Sequence, residues 1–217
     1  RADLCRYLAA CYYEPTPVFT EERMFAATLA AAAPLGDAYA APVRRLGEAF
    51  AATALQDLLV DYTRLFIGPI GTLARPYGSV WLGGDVTLMQ DSSVAVEALY
   101  EEGGFAIDDA FRELPDHVAA ELEFLYLLIH QQNVAQARGE LDAVHANADL
   151  RRRFLDAHLG AWSPAFARAV EEGAQAGIGE GAEFGVLRDR LGVKGFPGDE
   201  GRVEGGDDLG RGAGGFA

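Results

Sequence analysis

Cysteine is scarce in this sequence of 217 residues, which holds only Cys5 and Cys11. The two are six positions apart on a predicted helix, so their side chains point in different directions. That spacing matches neither the CxxC pair of a redox site nor a zinc-binding pair. We therefore expect two buried, reduced thiols, as is typical of proteins in the reducing cytoplasm.

Basic residues are also few, because 18 Lys and Arg stand against 33 Asp and Glu, and the formal net charge is −15. Nucleic-acid binding needs clusters of Lys and Arg that displace counterions, so this balance argues against nucleic acid as a partner. The charge favours a basic partner through long-range steering. An acidic surface that simply keeps the protein soluble is the alternative interpretation.

Long apolar runs are missing, since no stretch approaches the roughly 20 residues that cross a bilayer. Residues 1–13 hold Asp3 and Arg6 within an apolar run and lack a small-residue cleavage site, which predicts a first helix rather than a signal peptide. Half of all residues are nevertheless apolar, enough to bury a sizeable core. We expect a cytoplasmic protein without an integral membrane segment.

Runs of alternating apolar and polar residues are lacking too, and helical patterns dominate. Residues 55–66 carry an i, i+3, i+4, i+7 apolar stripe, and Gly68-Pro69 should end that helix. The apolar run 124–129 predicts a central helix, from about Asp116 to Arg138, that is buried on most faces. The sequence therefore predicts an all-α fold, a single-domain helical bundle.

Capping residues predict where other helices begin. Thr53 and Gln56 have the spacing of a capping box, and Thr20 precedes two glutamates in the manner of an N-cap. Ser163-Pro164 predicts the N-cap and first position of a helix that runs to about Glu172. A helix is also predicted over residues 149–160.

Glycine becomes frequent beyond Gly173, and each glycine in a helix costs about 1 kcal/mol relative to alanine. A last helix is predicted near residues 184–191. The chain that follows is rich in Gly and Asp and poor in large apolar residues, a composition typical of disorder. We assign the helical domain to residues 1–191 and a disordered tail to residues 192–217.

Catalytic motifs are not found. The four histidines lie 13 to 15 residues apart, without an i+4 histidine or a nearby cysteine, so no metal cluster is indicated. The GxSxG, P-loop and GxGxxG motifs are missing as well. We predict no catalytic residue, no bound metal and no cofactor.

One long irregular segment, residues 68–90, is rich in glycine and proline but also holds Tyr77, Val80 and Trp81. Loops of this length within a compact domain are usually functional. Large apolar side chains on such a loop either pack onto the core, which is the default expectation for any one of them, or bind a ligand.

A second unusual place is Asp116-His117, an acid and an imidazole at the predicted start of the most buried helix. Unpaired backbone N–H groups at that position favour a carboxylate. The residues alone leave two interpretations open. The pair is either a functional site, or Asp116 is a helix cap and His117 a half-buried packing residue.

These two places carry a resemblance to a known family. The matching segments read DYTRLFIGP at residues 61–69, RPYGSVWL at residues 75–82 and PDHVAAELEF at residues 115–124, with Gly104-Phe105 and Glu113 between them. In this order they closely resemble the signature of the TorD/DmsD/NarJ family of redox-enzyme maturation chaperones. The resemblance covers about residues 4–172, and it departs at the Gly-rich end, where the family usually has an aromatic-rich helix.

The resemblance implies an all-α chaperone that is not an enzyme. Family members bind the N-terminal, twin-arginine signal of a molybdopterin-dependent oxidoreductase catalytic subunit and hold the apoenzyme until its cofactor is inserted, which delays export. Some dimerise by exchanging helices, so a monomer or a helix-swapped dimer is expected. The signal-binding residues that it implies are Tyr77, Ser79, Val80, Trp81, Asp116, His117, Glu121 and Glu123.

Three alternatives stand beside this interpretation. In the NarJ-like branch of the family, the client is a catalytic subunit that is not exported. A nucleotide hydrolase would use Asp116 and His117, and a structural subunit would remain with the finished oxidoreductase. In the preferred interpretation, Tyr77, Val80 and Trp81 receive the apolar part of the signal, while Asp116 or a nearby glutamate accepts an arginine.

Overall fold

The computed structural model of the protein describes residues 2–68, 73–83, 91–108 and 111–176. Within these ranges the secondary structure is helical, apart from an isolated β-bridge between Tyr77 and His117. The predicted all-α class is therefore confirmed. The predicted helix at 184–191 and the predicted tail at 192–217 lie outside the described residues.

The helices follow one another along the chain within the described ranges. The first half holds α1 (Ala2–Ala10), α2 (Val18–Glu21), α3 (Met24–Ala32), a 3-10 turn (Ala33–Leu35), α4 (Asp37–Ala52), α5 (Leu55–Tyr62) and a π-helical turn (Thr63–Ile67). The second half holds α6 (Gly78–Leu82), α7 (Asp91–Glu102), α8 (Val118–Arg138), α9 (Leu141–Ala157) and α10 (Leu159–Ala176). None of these helices is long and apolar enough to span a membrane.

Helix α8 forms the centre of the bundle, where it packs against α1, α9 and α10. Its Phe124 and Leu128 are fully buried together with Phe154 of α9 and Trp162 and Phe166 of α10. The rings of Phe124 and Phe154 meet edge to face, with centroids 5.0 Å apart, a geometry that aromatic pairs prefer. The nearly all-round apolar run in α8 is thus explained by neighbours on several sides.

The N-terminal helices form a second packing unit in which α3 lies between α1 and α4. Phe25 of α3 and Phe50 of α4 pack with ring centroids 4.7 Å apart. Gly47 makes this approach possible, because a Cβ at that position would lie only 3.0 Å from the Cβ of Phe25. This packing explains a glycine inside α4, where alanine would otherwise be the better helix former.

Two predicted caps were wrong. Thr53 follows the end of α4 and its hydroxyl donates to the Ala49 carbonyl at 2.8 Å, while Ala54 is the N-cap of α5. Thr20 lies within α2 instead of preceding a helix. Capping patterns were misleading here, because threonine also bonds the carbonyl four residues back at a helix end.

Other predicted boundaries were displaced. Helix α9 begins at Leu141 rather than near residue 149, and α10 begins at Leu159, with Pro164 in its interior rather than at its start. An interior proline removes one backbone hydrogen bond and costs about 3 kcal/mol. Burial of the flanking Trp162 and Phe166 offsets that cost, since only 1% and 2% of these side chains are exposed.

Both cysteines are free, as predicted, although each is half-buried rather than fully buried. Burial raises the pKa of the Cys11 thiol to about 12. The thiol of Cys11 also donates a hydrogen bond to the carbonyl of Tyr7. Because the thiolate is the reactive form, Cys11 is a structural residue of the α1 end rather than a nucleophile.

We expect Phe154→Ala to lower the free energy of unfolding by about 3–5 kcal/mol in urea denaturation, because the ring is fully buried and leaves a cavity. Leu141→Ala on the same helix is the matched control, since Leu141 is 66% exposed. That control should change stability by no more than about 0.5 kcal/mol. Equal effects of the two variants would contradict the packing of α9 on α8.

Candidate functional site

Two of the three motif segments, residues 75–82 and 115–124, meet in a short antiparallel pairing. The backbone N–H of Gly78 donates to the carbonyl of Asp116 at 2.9 Å, and the N–H of Val118 donates to the carbonyl of Pro76 at 2.8 Å. Tyr77 therefore lies opposite His117 in the β-bridge. We call this arrangement of residues 76–78 and 116–118 the backbone pairing, and it fixes the loop to the start of α8.

The carboxylate of Asp116 holds the start of α6. Its Oδ2 accepts a hydrogen bond from the backbone N–H of Ser79, in the first turn of α6, at 2.7 Å. Asp116 is 1% exposed and Ser79 is fully buried, so this charge-assisted bond is shielded from water. Asp116 is a cap, as one of the two interpretations held, but it caps α6 rather than its own helix.

His117 is the N-cap of α8, and its Nδ1 accepts a hydrogen bond from the backbone N–H of Ala119 at 3.2 Å. This is why α8 begins at Val118 rather than near Asp116. Burial lowers the pKa of His117 to about 4, although the carboxylates of Glu113 and Asp116 oppose this shift. At neutral pH the imidazole is therefore uncharged and acts as a hydrogen-bond acceptor.

Glu121 is fully buried on the inner side of α8. Its Oε2 accepts a hydrogen bond from Nε1–H of Trp162 at 3.0 Å. Burial raises the pKa of Glu121 well above its usual range. Gly78 packs directly on this pair, since a Cβ there would lie 2.9 Å from Nε1 of Trp162 and 3.1 Å from Oε1 of Glu121. Glycine at position 78 thus allows α6 to pack closely on α8 and α10.

Trp81 anchors the loop to the core. Its indole N–H donates to the carbonyl of Arg75 at 2.9 Å, and its ring meets Phe166 edge to face with centroids 6.2 Å apart. Trp81 and its neighbour Val80 are both half-buried. The hydrogen-bond donor of Trp81 is therefore already used within the protein.

An acidic surface with tyrosines lies beside the backbone pairing, and we call it the Tyr–Glu cluster. The hydroxyl of Tyr77 donates to Oε2 of Glu113 at 2.5 Å, and the hydroxyl of Tyr13 donates to Oε1 of Glu123 at 2.8 Å. Burial raises the pKa of Tyr13, and the carboxylates of Glu123 and Glu113 raise it further. The two pairs are neighbours, because a series of ring contacts joins Tyr13 to Tyr77 through Phe111 and His117, with centroids 6.4, 6.3 and 5.2 Å apart. The members of the cluster are Tyr13, Tyr62, Tyr77, Glu113 and Glu123.

The charges that raise the pKa values of the tyrosines in the Tyr–Glu cluster are those of carboxylates. Burial raises the pKa of Tyr62, and the carboxylates of Glu113 and Glu14 raise it further. Burial likewise raises the pKa of Tyr77, to which Glu113 adds most among the charges. Phe111 lies between the tyrosine and imidazole rings, with centroids 6.4 Å from Tyr13 and 6.3 Å from His117. Carboxylates and aromatic rings at one surface can accept a guanidinium group.

The predicted site residues divide into a buried group and a surface group. Ser79, Asp116, His117 and Glu121 are buried and hold the pairing or the core, whereas Tyr77 and Glu123 belong to the Tyr–Glu cluster. Glu121 and Glu123, two positions apart on α8, face different ways, since Glu121 contacts Trp162 in the core and Glu123 contacts Tyr13. Sequence reasoning missed Tyr13 and Trp162, which only the fold brings here and for which no local motif gave a signal. It also missed Tyr62 and Glu113 as site residues, although both lie within or beside the matching segments.

Comparison with known protein families shows to which family this chain belongs. A family model described as the nitrate reductase delta subunit matches residues 32–168, which is more than half of the chain. This chain belongs to that family. The delta subunit family is the TorD/NarJ family, so the resemblance of the three sequence segments is confirmed.

Two curated relatives of this chain are named as chaperones. Chaperone protein TorD of Photobacterium profundum is 33% identical over 117 residues, or 53% of this chain and 52% of TorD. The selenate reductase assembly chaperone protein of Thauera selenatis is 38% identical over 97 residues, or 43% of this chain and 49% of that protein. The chain thus spans about half the length of these curated relatives.

A solved structure also resembles this chain. It is described as a candidate redox enzyme maturation protein from Archaeoglobus fulgidus and is 21% identical in sequence. The match covers 71% of this chain and 93% of that one, with a TM-score of 0.44.

We expect Gly78→Ala to lower the free energy of unfolding by about 1–3 kcal/mol, because the added methyl group overpacks the contact with Trp162 and Glu121. The matched control is Gly83→Ala, just after α6, where the residue is exposed and its φ of −93° suits alanine. Chemical denaturation measures both. A stabilising Gly78→Ala, the usual effect of this change in a helix, would contradict the close packing.

The stability should depend on pH through His117. Its pKa is about 4 in the folded protein and about 6.5 in an unfolded chain, so folding favours the neutral imidazole. That stability is fully present above about pH 6.5 and is lost as the pH falls to about 4.

The variant His117→Asn isolates this effect, because asparagine keeps an N-cap acceptor for Ala119 but does not titrate. Between about pH 7 and pH 4 we expect the wild type to lose up to about 3 kcal/mol more unfolding free energy than the variant. Urea denaturation across this range measures the difference. Parallel pH profiles would show that His117 is not buried in its neutral form.

Proposed function

We propose that this protein is a redox-enzyme maturation chaperone that binds the N-terminal leader of a molybdopterin-dependent oxidoreductase catalytic subunit. It holds the apoenzyme for cofactor insertion before export or assembly, in the cytoplasm. The Tyr–Glu cluster is the observation that carries the proposal. Family membership and the names of the relatives support it.

The Tyr–Glu cluster has the chemistry that a twin-arginine leader requires. A guanidinium group donates two parallel hydrogen bonds to a carboxylate, and these charge-assisted bonds are about twice as strong as neutral ones. The cluster offers two carboxylates, Glu113 and Glu123, each already oriented by a tyrosine hydroxyl. Aromatic rings beside a bound guanidinium add cation–π attraction. Two adjacent arginines can therefore be bound at two neighbouring acid–tyrosine pairs.

The buried residues of the site act by positioning. Tyr77 lies between Pro76 and Gly78, both of which are hydrogen-bonded to the start of α8. Asp116 fixes the following turn through the N–H of Ser79. These bonds hold the Tyr77 hydroxyl beside Glu113, so that less ordering entropy is lost when a ligand binds.

The charge of the whole chain favours rapid capture. A formal net charge of −15 attracts a leader that carries arginines. Such steering acts on the association rate more than on the affinity, and salt screens it. Binding should therefore be fastest at low ionic strength.

The nucleotide-hydrolase alternative receives no support from the geometry. Asp116 and His117 are only 1% and 2% exposed, and Oδ2 of Asp116 and Nδ1 of His117 already accept hydrogen bonds from the amides of Ser79 and Ala119. Within the described ranges, no group of three or more His, Cys, Asp or Glu side chains could hold a metal ion. A NarJ-like role is distinguished by the client, because a bound catalytic subunit without twin arginines would favour it.

The proposal predicts that Glu113→Gln weakens binding of a leader peptide. The probe is a synthetic peptide with two adjacent arginines followed by an apolar stretch, and fluorescence anisotropy measures its affinity. We expect about a tenfold loss, roughly 1.4 kcal/mol, because the guanidinium keeps its positive charge but loses the negative charge of its partner. Glu101→Gln, an exposed glutamate at the end of α7, is the matched control and should bind as the wild type does.

A peptide with the two arginines replaced by glutamine should bind the wild type weakly and should be insensitive to Glu113→Gln. Equal affinity of the wild type for both peptides would show that the cluster does not recognise arginine. That result would leave the family assignment intact but would remove the leader-binding role.

A further inference from the structure

A groove distinct from the Tyr–Glu cluster lies among α2, α3, α4 and the start of α5. Its volume is about 580 Å³, within the range of about 300–1,000 Å³ that is typical of ligand sites. The rings of Phe19, Phe25 and Phe50 line it, and Phe50 lies 5.9 Å from Phe19 and 4.7 Å from Phe25. All three rings are only half-buried, so the groove has an apolar wall that is open to solvent.

The lining of the groove is apolar and carries no net charge. Glu21 and Arg23 are its charged lining residues, and their charges cancel. The remaining lining is made by small or apolar side chains such as Ala26, Ala51 and Leu58. An uncharged apolar occupant fits this surface, whereas a cationic one fits the Tyr–Glu cluster.

Two backbone features shape the groove. Arg23, between α2 and α3, has a φ of 54°, the only positive φ of a non-glycine residue within the described ranges. The left-handed conformation costs about 1–2 kcal/mol for such a residue, and strain of this kind is concentrated at functional sites. Gly47, another lining residue, lets Phe25 pack closely against α4. The wall of aromatic rings thus depends on one strained residue and one glycine.

The groove and the Tyr–Glu cluster are neighbours along two segments. Tyr13 belongs to the cluster and Thr16 lines the groove, and three residues of extended chain span at most about 11 Å. Leu58 lines the groove and Tyr62 belongs to the cluster, one helical turn or about 6 Å further along α5. A single extended or helical peptide can therefore reach both surfaces.

We infer that this groove receives the apolar stretch that follows the arginines in the client's leader, while the arginines bind at the Tyr–Glu cluster. The inference rests on the proposed function and extends it to a second surface. An apolar segment laid in such a groove presents alternate or i, i+3, i+4 side chains to the aromatic wall. The loop residues Val80 and Trp81 are less suited to this role, because Trp81 is tied to Arg75 and packs on Phe166.

The test introduces a charge into the groove without removing packed side chains. Ala51 lines the groove and is exposed, whereas Ala52 is exposed on the same helix but does not line the groove. Ala51→Glu and Ala52→Glu are therefore a matched pair with the same change of charge and of helix propensity. Thermal unfolding first establishes that both variants fold as the wild type does.

Two synthetic peptides complete the test. The first has two adjacent arginines followed by a stretch of leucine and alanine, and the second has the same arginines followed by serine and glycine. We expect Ala51→Glu to weaken binding of the first peptide about tenfold, because an apolar side chain would face a carboxylate. Binding of the second peptide should be unchanged, and Ala52→Glu should affect neither.

The outcomes separate the two proposals. If the wild type binds the first peptide more tightly than the second and Ala51→Glu removes this preference, the groove is the apolar site. If the preference survives Ala51→Glu, this inference fails while arginine-dependent binding stands. If the wild type binds neither peptide, the leader-binding proposal fails as well.

A photoreactive residue in the apolar stretch of the first peptide locates it directly. Cross-links to residues 16–26 or 47–58 would support the groove, and cross-links confined to α6 or α7 would overturn it. Sedimentation of the free protein tests whether a second copy of the chain occupies the groove instead. A dimer that Ala51→Glu dissociates would show that a second copy of the chain fills the groove, and would also overturn the inference.

Discussion

The bond between the carboxylate of Asp116 and the N–H of Ser79 is the constraint on which the site depends. It joins the start of α8 to a turn that lies far away in the sequence, and it does so in a place shielded from water, where a charge-assisted bond is strongest. Two backbone bonds beside it complete the junction. Because Tyr77 is held within this junction, the position of its hydroxyl on the surface is determined from the interior.

The interior also explains why several motif residues cannot be exchanged freely. Glu121 and Trp162 share a hydrogen bond in the core, and Gly78 packs upon both. Each of the three therefore limits the size or polarity of the others. A buried acid of raised pKa is tolerated here because the indole N–H satisfies one of its oxygens. The family motif in this chain thus includes residues that pack the core.

Sequence reasoning recovered the helical class, the central helix and the two motif segments, because these depend on periodicity and on local composition. It failed where contacts across the fold decide. Pro164 lies inside α10 because Trp162 and Phe166 are buried around it, and Thr53 ends α4 rather than capping α5. Tyr13 reaches Glu123 although 110 positions separate them, and no local pattern reports such a pair. Burial likewise removed half of the predicted site residues from the surface.

Helix α5 links the two surfaces, because it contributes Leu58 to the groove and Tyr62 to the Tyr–Glu cluster. A π-helical turn follows it directly, and such turns are often found at functional sites. Because both residues lie on one helix, a displacement of α5 would move part of the groove and part of the cluster together. If one leader binds both surfaces, reciprocity would make the free energy of binding at either surface depend on what the other has bound.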